Sequence, residues 1–473
     1  MRKNFKSMLV VASCLTLSLG VTACSKSESD SSKASDEEST RVTLAGSNKN
    51  KKSAEEETTS AKEEDSKTDA TKNDTDNTKT DTSEYFTERD LKQTVDTSEA
   101  TSIELKSGEN TTISEEGIYV ITGDVTETSI IVDTTDDNAK VQLVLDGVTI
   151  KNTSTPAIYV KSADKVFVTT TDSENTLEVT SEFTADGDTN TDAVIFSKDD
   201  LVLNGVGTLN LTSTDNGIAA KDDFKMTGGT LNITAEKDGI EVNDSIAICD
   251  GTVTIDSGKD ALHCENDKDN TLGSIYISGG TFDITAGDDG IQGTTTLTID
   301  GGTIDVKNSV EGLEATNIEI NDGDISIYAT DDGINASEKS TALDIEIVIN
   351  GGNIDVEVGP GDTDAIDSNG SITVNGGTIN ITAQMSSFDY ETTGVINGGT
   401  VTVNGEQVTE MPQSMMGGGI RGGMKGRGGR GQMPSGEDFS NSGDRPQMPE
   451  DGESGERPEM PDDTFKGKAG SET

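Results

Sequence analysis

The chain has 473 residues, only 30% of them hydrophobic and none tryptophan, and its 88 acidic against 36 basic residues give a formal charge of -52. That balance excludes nucleic acid and anionic membrane surfaces as partners held by simple electrostatics, and the low apolar content argues against a wide conventional core. An acidic polymer stays compatible where divalent metal bridges it to the protein.

Arg2, Lys3 and Lys6 precede an apolar run from Met8 to Gly20 that is too short for a membrane span and has the layout of an export signal. The run ends in Val21-Thr22-Ala23-Cys24, which resembles a bacterial lipoprotein box. Residues 1–24 are therefore expected to be a lipoprotein signal peptide with Cys24 lipidated, the alternative being an ordinary cleaved signal. The expected location is the extracellular face of a bacterial cell membrane, touched only through the lipid anchor. Residues 25–98 are mostly Ser, Thr, Lys, Asp and Glu and are predicted to be a disordered linker.

Residues 99–409 carry a repeat. Gly207, Gly229, Gly251, Gly280, Gly302, Gly323, Gly352, Gly377 and Gly399 recur at intervals close to 22 residues, which is a solenoid period. After each glycine the second and fourth residues are apolar, as in Leu231 and Ile233 or Val253 and Ile255. A further pair precedes the glycine (Ile246 and Ile248), and one apolar residue follows an aspartate (Ile240, Leu262, Ile291). Alternation means strand. Three short strands per coil, with no helical stretch, predict an all-β fold, a right-handed parallel β-helix, the hand following the rule for parallel connections. The register points Cys249 outward and Cys264 inward, so no disulfide joins them. The protein is expected to be a monomer.

Outward positions form columns. Thr230, Thr252, Thr281, Thr303 and Thr378 make one polar column, read either as ordinary strand surface or as a platform for a regular polymer. A more specific column holds Asn216, Asp238, Asp260, Asp289, Glu311 and Asp332, with Asp192 and Asp364 in less regular coils. Glu241, His263, Gln292, Glu314 and Asn335 stand three residues further on in their coils. Carboxylates stacked at the strand spacing repel unless cations intervene, and an oxygen-rich set suits Ca²⁺; the alternative is that Asp-Gly merely turns the chain. Asp186 to Asp192 partly matches a calcium loop, and Asp267 to Asn270 does so more weakly. With one histidine, no nucleophile elbow and no phosphate loop, familiar catalytic triads have no basis. A calcium-dependent lyase using Lys198, Lys221, Lys237 or Lys259 as base stays open beside plain pairing of these lysines with aspartates. Residues 410–473, glycine-rich and then Met-Pro-rich, are predicted to be a disordered tail.

The stretches "VQLVLDGVTIKNTSTPAIYVKSADKVFVTT" (141–170) and "DAVIFSKDDLVLNGVGTLNLTSTDNGIAAKDDFKMTGGTLNIT" (192–234), with the later Gly-Gly-Thr and Asp-Asp-Gly-Ile steps, resemble a bacterial extracellular carbohydrate-binding β-helix family. That family is similar in fold to family-nine pectate lyases. The resemblance implies binding of a polysaccharide, cellulose or acidic sugars, and calcium at Asp192, Asp238, Asp260, Asp288 and Asp289. Candidate sugar contacts are Lys198, Lys221, Lys237, Lys259 and Tyr276. The expected function is polysaccharide binding at the cell surface, with a pectate-type lyase and a structural spacer or adhesin as alternatives.

Overall fold

The computed structural model describes residues 82–412, except Asp267 and Asp362. The expected export signal, Cys24, most of the expected linker and nearly all of the expected 410–473 tail lie outside the described residues.

Each coil is three short strands set on three faces. Asp223–Met226 lies on face one, Thr230–Ala235 on face two and Ile240–Val242 on face three, before Ser245–Ile248 returns to face one. Every strand pairs in parallel with its equivalent one coil on: Leu231 opposes Val253, which opposes Phe282. Face three is a separate sheet of 12 strands. Faces one and two join into one 24-stranded sheet because Gly117–Thr126 and Lys140–Asn152 bend from one face onto the other. This is a parallel β-helix, as the alternation predicts, about 50 Å long at the usual strand spacing.

In-register stacking turns the period of the sequence into columns. The inward column of face two runs Leu231, Val253, Phe282, Ile304, Ile325, Ile354, Ile379 and Val401, all fully buried. Each such side chain contributes about 1.5–3 kcal/mol by leaving water. The corner glycines serve two purposes. Gly229, Gly251 and Gly280 adopt positive φ, which costs glycine nothing. Gly239, after the column aspartate, instead makes room: a Cβ there would lie 2.6 Å from both the Ala261 carbonyl oxygen and Ile255 Cγ2.

The far end is closed by an antiparallel hairpin of Thr400–Val403 and Glu406–Val408. It turns at Asn404-Gly405, both at positive φ, as a two-residue hairpin requires. Met411 then packs on the core, so the ordered body runs slightly past the expected boundary at 409.

The near end departs from expectation. Residues 82–98 fall within the stretch predicted as linker, yet Phe86 and Asp90 are buried and the segment lies along face one. Gln93 Nε2 donates to the Thr227 carbonyl at 2.7 Å, and Gly205 N donates to Gln93 Oε1 at 2.9 Å. A few aromatic and amide anchors hold a polar segment that composition alone assigns to solvent.

Candidate functional site

The aspartate column stands at the corner between faces two and three, and one carboxylate oxygen of Asp238, Asp260, Asp289 and Asp332 is committed to the backbone. Asp238 N donates to Asn216 Oδ1 at 3.0 Å, Asp260 N to Asp238 Oδ1 at 3.1 Å, Asp289 N to Asp260 Oδ1 at 2.9 Å and Glu311 N to Asp289 Oδ1 at 3.2 Å. Asp364 N donates likewise to Asp332 Oδ1 at 2.8 Å. The column therefore satisfies amides that the corner would otherwise orphan, which is the turn-forming role. The second oxygens are left for other partners.

Those oxygens meet the outward column of face three, where Glu241, His263, Gln292, Glu314, Asn335 and Asp367 stack in register. His263 Nδ1 lies 3.0 Å from Asp260 Oδ2 and 3.8 Å from Asp238 Oδ2. Burial disfavours the charged imidazole, but the nearby Asp238 and Asp260 carboxylates outweigh it and lift the pKa to about 10. Gln292 Nε2 donates to Asp289 Oδ2 at 2.6 Å and to Glu314 Oε2 at 3.0 Å. Lys339 Nζ sits 2.6 Å from Glu314 Oε2. Burial, and then neighbouring carboxylates, push Asp289 up to about 7 and Glu311 to about 8.

Among the described residues, three groups bring ligand atoms within 4.8 Å of one another: Asp238, Asp260 and His263; Asp260, Asp288 and Asp289; and Asp289, Glu311 and Glu314. The first already holds a cationic imidazolium. The second is all oxygen and fits a hard cation. The third shares Glu314 with the Lys339 ammonium.

The five predicted calcium ligands do not form one site. Asp192 is four coils from Asp289, about 19 Å at the strand spacing, and lines a cleft with Asp215, Lys221, Lys237 and Glu241 instead. Burial raises the Asp192 pKa to about 6 although Lys221 opposes the shift. The suggested calcium loop is also otherwise engaged. Asp186 and Thr189 close a tight turn, and Asp186 binds Lys161 at 2.7 Å and the Tyr159 hydroxyl at 3.2 Å. Asp267, in the weaker loop, lies outside the described residues.

That cleft, of 420 Å³, runs along face three and also takes in Lys259, His263 and Lys268. It gathers three of the four predicted lysines. Lys221 pairs with Glu241 at 3.2 Å and Lys237 with Asp215 at 2.7 Å. The bond to Asp215 raises the Lys237 pKa, which keeps it a cation and a poor base. Lys198 stands apart, 5.9 Å from the Tyr159 ring centroid. Tyr276 is on face one, 3% exposed beneath Tyr85, so as a sugar contact it is covered. Sequence reasoning missed Lys268 and Lys339. Both come from long coils that interrupt the period, where spacing carries no signal.

A family model described as "carbohydrate-binding domain-containing protein" matches residues 107–365. A protein of that same description from Acetivibrio thermocellus is 36% identical over 121 residues, which are 25% of this chain and 42% of the relative. The match thus spans less than half the relative's length. Among solved structures, a polysaccharide lyase-like protein from C. thermocellum, in a gadolinium derivative, is similar with a TM-score of 0.41. It is 30% identical, over 44% of this chain and 90% of that one.

Proposed function

Because the chain belongs to the carbohydrate-binding domain family, we propose that it is a cell-surface lipoprotein that holds a polysaccharide along face three. The observation that carries this reading is the cleft itself, where lysines and carboxylates from successive coils line one continuous surface. Lys221, Lys237, Lys259 and Lys268 give it cationic points among hydrogen-bonding carboxylates and amides, a surface suited to an acidic or heavily hydroxylated chain.

Asp260, Asp288 and Asp289 would hold Ca²⁺, their all-oxygen, partly buried donor set being the support. When bound, the ion supplies the positive charge that lets an acidic protein approach an acidic sugar. The protein's own part is to present the three carboxylates together, with the Asp289 N–H donating a hydrogen bond to Asp260 Oδ1 to fix that pair.

The test is a pull-down of the protein on polygalacturonate gel and on cellulose, each with calcium and with chelator. Retention on at least one, weakened by chelator for the acidic polymer, is expected. Recovery in the supernatant in all four conditions would leave a structural spacer. Appearance of ultraviolet-absorbing unsaturated product from polygalacturonate would make the protein a lyase.

A further inference from the structure

The outward column of face one runs Phe167, Val202, Lys225, Ala247 and Tyr276, one residue per coil in strict register. Outward positions of a β-helix ordinarily meet water. Here Phe167, Val202, Ala247 and Tyr276 are each 3% exposed or less, whereas the next residues up the same column, Thr298 and Glu319, are partly exposed. The difference is the segment Tyr85 to Gln93, which lies over the first set and not the second.

The way this strap covers the column is specific. Tyr85 stacks face to face on Tyr276, ring centroids 3.7 Å apart and planes within 10°. At the other end the Arg89 guanidinium lies 4.4 Å over the Phe167 ring. Both rings are thus met on their faces by flat groups, about 19 Å apart along the rod at the strand spacing. Lys225 Nζ, between them, donates to the Tyr85 carbonyl. Polar clamps hold the middle: Asn204 Nδ2 and Thr227 Oγ1 donate to the Asp90 carbonyl, and Gln93 bridges Thr227 and Gly205. Gly228 leaves the space that Gln93 fills, since a Cβ there would lie 2.1 Å from Gln93 Oε1.

Ring faces spaced along a flat sheet, with a central donor, are what a glycan chain uses when sugars stack on aromatic side chains. We propose that this column is a second glycan-binding face, suited to a neutral β-glucan, and that the strap closes it in cis by occupying both ring faces. The proposal rests on the reading of the protein as a polysaccharide binder but concerns a different face. The strap enters the first strand, Thr101–Glu104, through a short connection. Release at its Tyr85 end therefore needs no change in the rod.

Cys249 supplies a native reporter, because it packs against the Phe86–Ala247–Tyr276 cluster under the strap, while Cys264 is buried in the rod core. Four full-length variants are compared with the parent: Tyr85→Ala, which bares the Tyr276 face; Gln93→Ala/Thr227→Val, which removes the Gln93 bridge and the Thr227 bond to the Asp90 carbonyl; and each of these combined with Tyr276→Ala. Thiol modification is followed peptide by peptide by mass spectrometry, and cellohexaose and cellulose binding by calorimetry and pull-down.

Both strap variants should modify Cys249 at least tenfold faster with Cys264 still protected. They should also gain about tenfold in glucan affinity, the order expected of one aromatic stack, and Tyr276→Ala should abolish the gain. Faster Cys249 modification with no gain in glucan binding overturns the proposal, leaving the strap as a structural cover while polygalacturonate binding on face three stands. If Cys264 also becomes reactive in the double variant, Tyr85→Ala alone decides, since it leaves the clamps intact. Absence of binding to cellohexaose, cellulose and polygalacturonate in parent and variants alike would instead sink the polysaccharide reading as a whole.

Discussion

The imidazole of His263 stands 3.0 Å from the Asp260 carboxylate, occupying the position that a cation would take between two coils of the aspartate column. With its pKa lifted to about 10 it is charged at neutral pH, so one step of the carboxylate stack carries its own counter-ion. His263→Gln should leave Asp238 and Asp260 facing each other without it. The expected loss is about 1–3 kcal/mol in chelator, by analogy with breaking a buried charge pair that keeps some hydrogen bonding. Chemical denaturation with a fixed slope checks this; an unchanged midpoint would mean the pair contributes nothing.

One coil further on, no histidine is available. Asp289 faces Asp260 and Asp288, and burial with the neighbouring charge raises its pKa to about 7. Calcium at this point should stabilise the rod by roughly 2.7 kcal/mol at a hundredfold excess over its dissociation constant. Chelator should lower the melting temperature of the parent, and Asp289→Asn should shrink that difference without changing the β signature in circular dichroism. Identical parent melts in calcium and chelator would leave the aspartates as turn formers.

Asp367 provides a pH test away from that site. Burial, then the charges of Asp332, Asp364 and Asp389, raise its pKa to about 7. A raised carboxyl pKa favours the folded state at low pH, and this contribution is lost as pH rises from the ordinary value near 4 through about 7. Asp367→Asn should accordingly be more stable than the parent at pH 8, by about 1–2 kcal/mol after screening of this half-exposed group. The two should converge at or below pH 4. A constant difference across the range would assign the effect to packing instead.

Gly239→Ala tests the corner. With both the Ala261 carbonyl and Ile255 Cγ2 at 2.6 Å from the added methyl, two coils must separate to admit it. A loss of about 2–4 kcal/mol, in the upper range for overpacking, is expected. A urea midpoint within error of the parent would show that the stack yields easily.

For the anchor, Cys24→Ala should release the protein from the membrane fraction or abolish its lipid labelling in the producing bacterium. Continued labelling would rule out Cys24 as the lipidated residue.

The sequence by itself determined the rod. Because parallel coils stack in register, a 22-residue period maps directly onto columns, and alternation within each strand separates Leu231 and Ile233 inside from Thr230 and Asn232 outside. That is why the aspartate column, the His263 column and the inward Cys264 were legible without coordinates. Tertiary structure alone decided how the second oxygens of those aspartates are used. Whether His263 or Gln292 meets them depends on side-chain reach between neighbouring coils, and Lys339, which pairs with Glu314, arrives from a long coil outside the period. It also decided the fate of Tyr276. Residues 82–98 share no repeat with the rod and read as linker, since a few anchors in a polar segment leave no periodic trace. Only the folded surface, offering Tyr276, Thr227 and the space at Gly228 together, gives Tyr85 and Gln93 something to bind.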